Sequence, residues 1–128
     1  MRRFLSPETL PPPAGYSHVV DASGGRLIYI SGQVPLDRDG ELVGGDFEAQ
    51  ARRVFENLTA ALAAADASWA DVVKLNYFLT DVSQIGTVRA VRDEYVDMEQ
   101  PPASTLVEVS GLFRADAMIE VEAVAIAH

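Results

Sequence analysis

The sequence of 128 residues contains no cysteine and only two histidines. The absence of cysteine excludes a disulfide framework, a thiolate nucleophile and any metal site with cysteine ligands. His18 and His128 are too few and too far apart along the chain to suggest a metal site, and the second is the last residue. A reducing compartment fits this composition, so we expect a cytoplasmic protein.

Basic residues are also scarce, with 10 Lys and Arg against 19 Asp and Glu, which gives a formal net charge of −9. Proteins that bind nucleic acids draw much of their affinity from Lys and Arg that neutralise phosphates. We therefore expect no nucleic-acid partner. No segment approaches the roughly 20 consecutive apolar residues of a membrane span, and the N-terminal segment lacks the apolar stretch of a signal sequence. We expect no membrane association either.

The remaining composition suits one globular domain over residues 1–128, because 48% of the residues are hydrophobic. Four prolines predict an extended segment over residues 1–15. Beyond it, hydrophobic periodicity predicts the order ββαβαββ. The predicted strands are Tyr16–Ala22, Arg26–Gln33, Asp71–Thr80, Ser104–Val109 and Met118–Ile126, and the predicted helices run from Phe47, capped by Asp46, to about Ala65 and from Gln84 to about Met98.

This order favours an α+β fold of two layers, in which a mixed sheet carries both helices on one face. The other sheet face then needs a different cover, and further copies of the same chain are the economical one. The last strand places Glu120 and Glu122 on the face opposite Ile119 and Val121. Two carboxylates among apolar neighbours are costly unless they are paired or used, which makes this strand a candidate for function.

Several short motifs resemble those of the RidA family (YjgF/YER057c/UK114). They are P-A-S-T-L-V-E-V from Pro102, I-E-V-E-A-V-A from Ile119, I-S-G-Q-V-P from Ile30 and D-V-V-K from Asp71, with G-Y-S from Gly15 and G-D-x-x-x-Q from Gly45. The resemblance extends from about Gly15 to Ala127 and implies a chorismate-mutase-like fold in a homotrimer. It also implies pockets between adjacent subunits, no cofactor, and hydrolysis of reactive enamines or imines with release of ammonia.

The resemblance also implies roles for individual residues. Glu120 corresponds to the glutamate that positions the hydrolytic water, and desolvation on an apolar face would raise its pKa toward the range of a general base. Tyr16 would close the pocket, although a packed aromatic is its simpler role, and Ser31, Gly32 and Thr105 would form hydrogen bonds with the ligand. Alternatively, Glu120 and Glu122 pair with arginines at a subunit contact, and for Glu122 we prefer this role.

Three positions depart from the family pattern. The arginine that anchors the substrate carboxylate is replaced by Ser104, a frequent cysteine by Leu106, and an asparagine of the second helix by Arg89. A charge-assisted hydrogen bond contributes about 1.5–3 kcal/mol, so its loss costs roughly 10- to 150-fold in substrate capture. The sequence therefore predicts an atypical substrate, or another cation as the anchor. Arg89 is the candidate, unless it is simply a solvated helix arginine.

Three functions follow from the sequence in decreasing order of preference. The first is an enamine or imine deaminase with an atypical substrate preference. The second is a catalytically silent trimer of the same family that binds a small metabolite or has a regulatory role, which the replacement by Ser104 supports. The third is an endoribonuclease, as some family members have been described, and the acidic net charge disfavours it.

Overall fold

The computed structural model describes residues 1–128 and contains six strands and two α-helices. The predicted order is confirmed, with one additional strand at the N-terminus. The strands are β1 (Arg2–Leu5), β2 (Val19–Ala22), β3 (Arg26–Gln33), β4 (Val72–Leu79), β5 (Ala103–Glu108) and β6 (Ile119–Ala127), and the helices are α1 (Phe47–Ala64) and α2 (Ile85–Arg92). Short 3₁₀ turns, Trp69–Asp71 and Val82–Gln84, precede β4 and α2.

The main sheet has the strand order β3-β6-β4-β5. Strand β6 is antiparallel to both β3 and β4, whereas β4 and β5 are parallel, so the sheet is mixed as predicted. The alternation of β6 is also confirmed, because every second residue from Ile119 is buried. The first four of these residues, up to Ala125, belong to one hydrophobic core with residues of both helices. The α+β prediction with two helices on one face is therefore correct.

Helix α1 begins where its sequence predicts. The Asp46 carboxylate accepts a hydrogen bond of 2.8 Å from the backbone N–H of Ala49, which satisfies one of the free donors of the first turn. The buried Gln50 side chain then donates to the carbonyl of Asp116 at 3.0 Å and accepts from the N–H of Met118 at 2.8 Å. These two bonds fix the entry of β6, the strand that carries Glu120.

Two predicted element boundaries are wrong. The strand predicted at Tyr16–Ala22 begins only at Val19 and pairs with β1 in a separate two-stranded sheet. The cause lies at Ser17, whose N–H and hydroxyl bind the carbonyls of Pro102 and Pro101 at 3.1 and 2.6 Å. Tyr16 is therefore held beside the start of β5 and does not lie in a strand.

The second helix is also shorter than predicted, since α2 ends at Arg92 and not near Met98. From Asp93 the chain continues in hydrogen-bonded turns, in which the N–H groups of Tyr95 and Val96 both bind the carbonyl of Arg92. These turns bury Val96 in the core. The apolar spacing that suggested a longer helix is therefore satisfied by a different backbone.

The face of the main sheet opposite the helices is called here the open face. It presents Leu27 and Tyr29, which are 58% and 76% exposed, together with Val107. In the strand register Leu27 lies opposite Ile126 and Tyr29 opposite Val124, so one side of β3 and β6 forms a continuous apolar surface. No helix of the structure is both long enough and apolar enough to cross a membrane.

Candidate functional site

The predicted site residues lie on the two opposite faces of the main sheet. One group lines a cavity of about 210 Å³ between α2, β5 and the segment that precedes β2, called here the helix-side cavity. Its predicted members are Tyr16, Arg89, Ser104 and Leu106, and its other lining residues are Ala14, Tyr77, Ile85, Val88 and Arg92. The second group, on the open face, consists of Ser31, Gly32, Thr105 and Glu120.

The alternation of β5 explains this division. Successive side chains of a strand point to opposite faces, so Ser104 and Leu106 lie toward α2 while Thr105 lies on the open face. The register places Thr105 beside Asn76 of β4, and Asn76 in turn lies opposite Glu122 of β6. The adjacent residues Ser104 and Thr105 therefore cannot line the same pocket within one subunit.

Arginines supply the only formal charges in the helix-side cavity. Arg92 is 8% exposed, and its guanidinium donates to the Asp93 carboxylate from Nε and Nη2, at 3.0 and 2.9 Å, and to the Ala14 carbonyl from Nη1 at 3.4 Å. Gly15 makes this position possible, because a Cβ at residue 15 would lie 2.6 Å from Cζ of Arg92. Arg89 is exposed at the same cavity, and its guanidinium has no hydrogen bond or ion pair.

Tyr77 also lines this cavity. The residue is 2% exposed, and its hydroxyl oxygen is buried without a hydrogen-bond partner. Desolvation raises the pKa of the Tyr77 phenol; the nearby charge of Arg92 lowers it and that of Asp93 raises it. The net shift is upward, so the phenol keeps its proton and remains a hydrogen-bond donor at neutral pH.

Arg92 and Tyr77 were not among the predicted site residues, although the sequence contains a signal for each. Arg92 follows Arg89 by three residues, which places the two side chains on neighbouring positions of one helix face. Tyr77 lies between Leu75 and Leu79 on the inward side of β4, where its hydroxyl needs a partner. Neither pattern shows that the two groups meet at one cavity.

On the open face, Glu120 lies against Gly32. A Cβ at residue 32 would lie 2.8 Å from Cδ of Glu120, so the carboxylate occupies the space that a side chain at residue 32 would fill. The pairing of β3 with β6 is irregular here, since the register shifts between Ile30 and Gln33. Desolvation, and secondarily the negative charge of Glu122, raise the pKa of Glu120. The direction agrees with the sequence-based expectation for a general base.

The polar groups of the other open-face residues differ in whether they have hydrogen-bond partners. Glu122 accepts a hydrogen bond of 3.3 Å from Asn76, whereas the Glu120 carboxylate has no hydrogen bond or ion pair within the subunit. The Thr105 hydroxyl accepts from Lys74 at 2.8 Å and keeps its own proton to donate. Ser31 is exposed beside Gly32. Glu120 is therefore the unpaired carboxylate on this face.

Comparison with known proteins identifies relatives over almost the full chain. The family model described as "Endoribonuclease L-PSP" matches residues 7–127. A 2-iminobutanoate/2-iminopropanoate deaminase of Salmonella typhimurium is 34% identical over 98% of both chains. The 3-aminoacrylate deaminase RutC of Acinetobacter baylyi is 35% identical over 97% of both.

A solved structure supports the same assignment. YyfB from Yersinia pestis, a protein of unknown function in the conserved Rid protein family, is 35% identical and superimposes with a TM-score of 0.87 over 98% of both chains. Sequence and fold thus agree along the whole length of this chain. We conclude that the chain belongs to the Rid family, also called the RidA/YjgF family.

Proposed function

We propose that this protein is an enamine or imine deaminase whose site forms between subunits of a homotrimer. The main support for this proposal is the division of the predicted site residues between the two faces of the main sheet. The helix-side cavity contains two arginines, and the open face carries the unpaired Glu120. Each subunit therefore holds two incomplete halves of opposite charge.

A contact between the open face of one subunit and the helix-side cavity of the next would join the two halves. Such a contact is heterologous, and it produces a closed ring when the rotation between neighbours closes. Three subunits are what the family resemblance implies. The exposed Leu27 and Tyr29 give the open face the apolar character that a stable interface needs.

The proposed reaction adds water to the C=N carbon of an imine. Glu120 accepts a proton from the attacking water while the new C–O bond forms and the imine nitrogen gains a proton. The resulting carbinolamine then collapses: the C–N bond breaks, ammonia leaves, and the carbonyl product remains. An enamine substrate would first take a proton on carbon to become the imine. Ser31, Thr105 and the N–H of Gly32 would orient the ligand, and Tyr16 would close the pocket.

The substrate class follows from the chemistry of the relatives and the departure at Ser104. Both relatives are named for small acids that carry a carboxylate close to an imine or enamine nitrogen. In this chain β5 supplies a serine hydroxyl at the place of the family arginine, so the carboxylate would be held from elsewhere. We therefore propose an atypical preference among small nitrogenous acids.

The test is direct hydrolysis of imines generated in the assay. We expect the protein to accelerate the loss of semicarbazide-detectable 2-aminoacrylate or of a longer 2-imino acid. Glu120→Gln should lower kcat by roughly 100-fold or more, because the general base is removed. Glu122→Gln is the matched control on the same strand and face, and we expect a change within about threefold, because Glu122 has a partner in Asn76 and no proposed proton-transfer role.

The replacement at Ser104 also supports a second candidate, a silent family member that binds a small metabolite. An intact trimer that binds 2-oxo acids but accelerates no imine tested would favour this candidate over the deaminase. Endoribonuclease activity is the description given to the family model, but the net charge of −9 opposes a function that depends on neutralising phosphates.

A further inference from the structure

Strands β3 and β6 are weakly paired beside Glu120. Their regular register breaks after Ile30 and resumes only at Gln33, which lies opposite Val121. The register neighbour of Glu120 itself is Phe78, on the other adjacent strand, β4. A single register pair beyond the irregularity leaves the spacing between β3 and β6 weakly fixed at this point. Another part of the chain has to supply the remaining contacts.

Asn57 of α1 holds the chain where β3 ends. Its side-chain amide donates both of its N–H groups, to the carbonyl of Val34 at 2.9 Å and to that of Leu36 at 3.0 Å. The residue between these two is Pro35, which has no N–H and cannot continue a ladder. Asn57 thus supplies the donors that a neighbouring strand would otherwise give, and it fixes the end of β3.

Gln50 holds the start of β6 in the same way. It precedes Asn57 by seven residues, which is about two turns of α1 and places both amides on one face of the helix. Through its bonds to the Asp116 carbonyl and the Met118 N–H, it fixes the chain two residues before Glu120. Both amides belong to the helix layer, whereas Glu120 lies on the open face. Their influence on the carboxylate therefore passes through the backbone of the two strands.

We propose that Asn57 and Gln50 are positioning residues, which together fix where the Glu120 carboxylate lies against β3. The carboxylate occupies the space beside Gly32 that a Cβ would fill, so a small separation of the strands would admit water around it. The aim of a general base at the attacking water depends on such spacing. The proposal rests on the proposed function in that Glu120 is taken as the base, whereas the positioning itself is measured without any substrate.

Two variants remove the hydrogen bonds without adding a charge: Asn57→Leu and Gln50→Met, which roughly keep the size of the side chains. The Glu120 carboxyl is followed by carbon-13 NMR through a pH titration of the whole protein, and its signal is assigned by comparison with Glu120→Gln. Desolvation is the main cause that raises this pKa and the charge of Glu122 adds to it, whereas its neighbours on β3 and β4 carry no charge. We expect the pKa to fall toward the ordinary 4.5 in both variants, because water then reaches the carboxylate.

Thr59→Val is the matched control. Thr59 also lies on α1, and its hydroxyl accepts a hydrogen bond of 2.9 Å from Trp69, which belongs to neither strand. We expect this variant to keep the pKa of Glu120 and the activity unchanged. In the imine assay Asn57→Leu and Gln50→Met should lower kcat about tenfold and change KM by less than about twofold, because the base is displaced. A mere loss of folded protein would lower kcat without moving the pKa.

The proposal is overturned if Glu120 titrates in the variants as it does in the unmodified protein, or if kcat falls no further than in Thr59→Val. If either variant does not fold, Asn57→Ser, which keeps one donor, is judged by the same two measurements. Hydrolysis of imines with an unmoved pKa would leave the proposed function standing without the positioning role. A pKa that moves in a protein that hydrolyses no imine would leave the positioning role standing without the proposed function.

Discussion

The helix-side cavity and the open face are the two unlike halves of the proposed site, and both lie on one sheet. In each half a glycine makes room for a charged side chain: Gly15 for the Arg92 guanidinium and Gly32 for the Glu120 carboxylate. The two halves differ in whether other parts of the same chain cover them. The cavity is enclosed by the chain's own helix and N-terminal segment, whereas the open face has apolar side chains without any cover from its own subunit.

This difference separates the task of folding from the task of forming the site. Burying Arg92 needs only contacts within one chain, and Asp93 supplies its counter-charge at 2.9 Å. Glu120 has no such partner, and in the proposed site its carboxylate would act on a ligand held by a second surface. We therefore expect that combining subunits with one intact half each, and substituting residues of either half, will change activity and assembly in different ways.

Complementation between two inactive variants should give the largest effect, because it tests whether the two halves come from different subunits. Glu120→Gln disables the open face, and Ser104→Trp fills the helix-side cavity, so each variant alone should lose about 100-fold or more of the activity. Co-expressed with different tags, mixed trimers that contain both variants should recover roughly a third of the activity, because one of the three interfaces in such a ring then has both intact halves. Recovery is measured on trimers that carry both tags, and no recovery would place both halves in one subunit.

A charge on the open face should break the proposed trimer. Tyr29→Asp introduces a carboxylate into the apolar surface of β3, and burying it at an interface without a partner is costly, so we expect monomers by light scattering. Phe113→Asp is the control, since Phe113 is 74% exposed, close to the 76% of Tyr29, but lies outside the strands. A Tyr29→Asp variant that remains fully trimeric would remove the open face from the interface.

Restoring a cation at residue 104 should strengthen substrate binding in the helix-side cavity. Ser104→Arg places a guanidinium on the wall of the helix-side cavity, and we expect kcat/KM for a short 2-imino acid to rise about tenfold. The measurement is imine loss at several substrate concentrations, because the gain should appear mainly in KM. Ala90→Arg, at an exposed position of α2 that does not line the cavity, serves as control. An unchanged rate in Ser104→Arg would contradict the assignment of this position to the substrate carboxylate.

The smallest expected effect is a shift in the pH dependence of activity, which Glu120 on the open face should control. Glu120 must be ionised to act as a base, and burial, with the charge of Glu122, raises its pKa above the ordinary 4.5. Activity should therefore fall as the pH is lowered through that raised pKa. Glu122→Gln removes one cause of the shift, so the acid limb of kcat/KM should move to lower pH while the rate at neutral pH is kept. An acid limb that does not move would mean that Glu122 has no influence on the base.

The same raised pKa affects stability with a definite sign. A carboxyl whose pKa is higher in the folded protein binds its proton more tightly there than in the unfolded chain. Ionised Glu120 therefore destabilises the folded subunit at neutral pH, and this destabilisation is relieved as the pH falls through the raised pKa toward 4.5. The carboxylate is thus retained at a cost in stability.

Patterns confined to neighbouring residues were predictable. The period-2 alternation of β6 correctly separated Ile119 and Val121 from Glu120 and Glu122, and the Asp46 cap correctly marked the start of α1. One prediction failed because a distant segment competes for the backbone. Ser17 binds the Pro101 and Pro102 carbonyls and forms an isolated bridge with Ala103, so it does not join β2.

By itself, the sequence determined the order of elements, the two faces of the sheet, and which face carries the carboxylates. These features depend on the spacing of polar and apolar residues over short segments, which can be read directly from the sequence. Only the tertiary structure decided that Tyr16, Tyr77 and Arg92 meet at one cavity. The physical reason is that a site is made by contacts between residues remote along the chain, and packing selects those contacts after the local elements have formed.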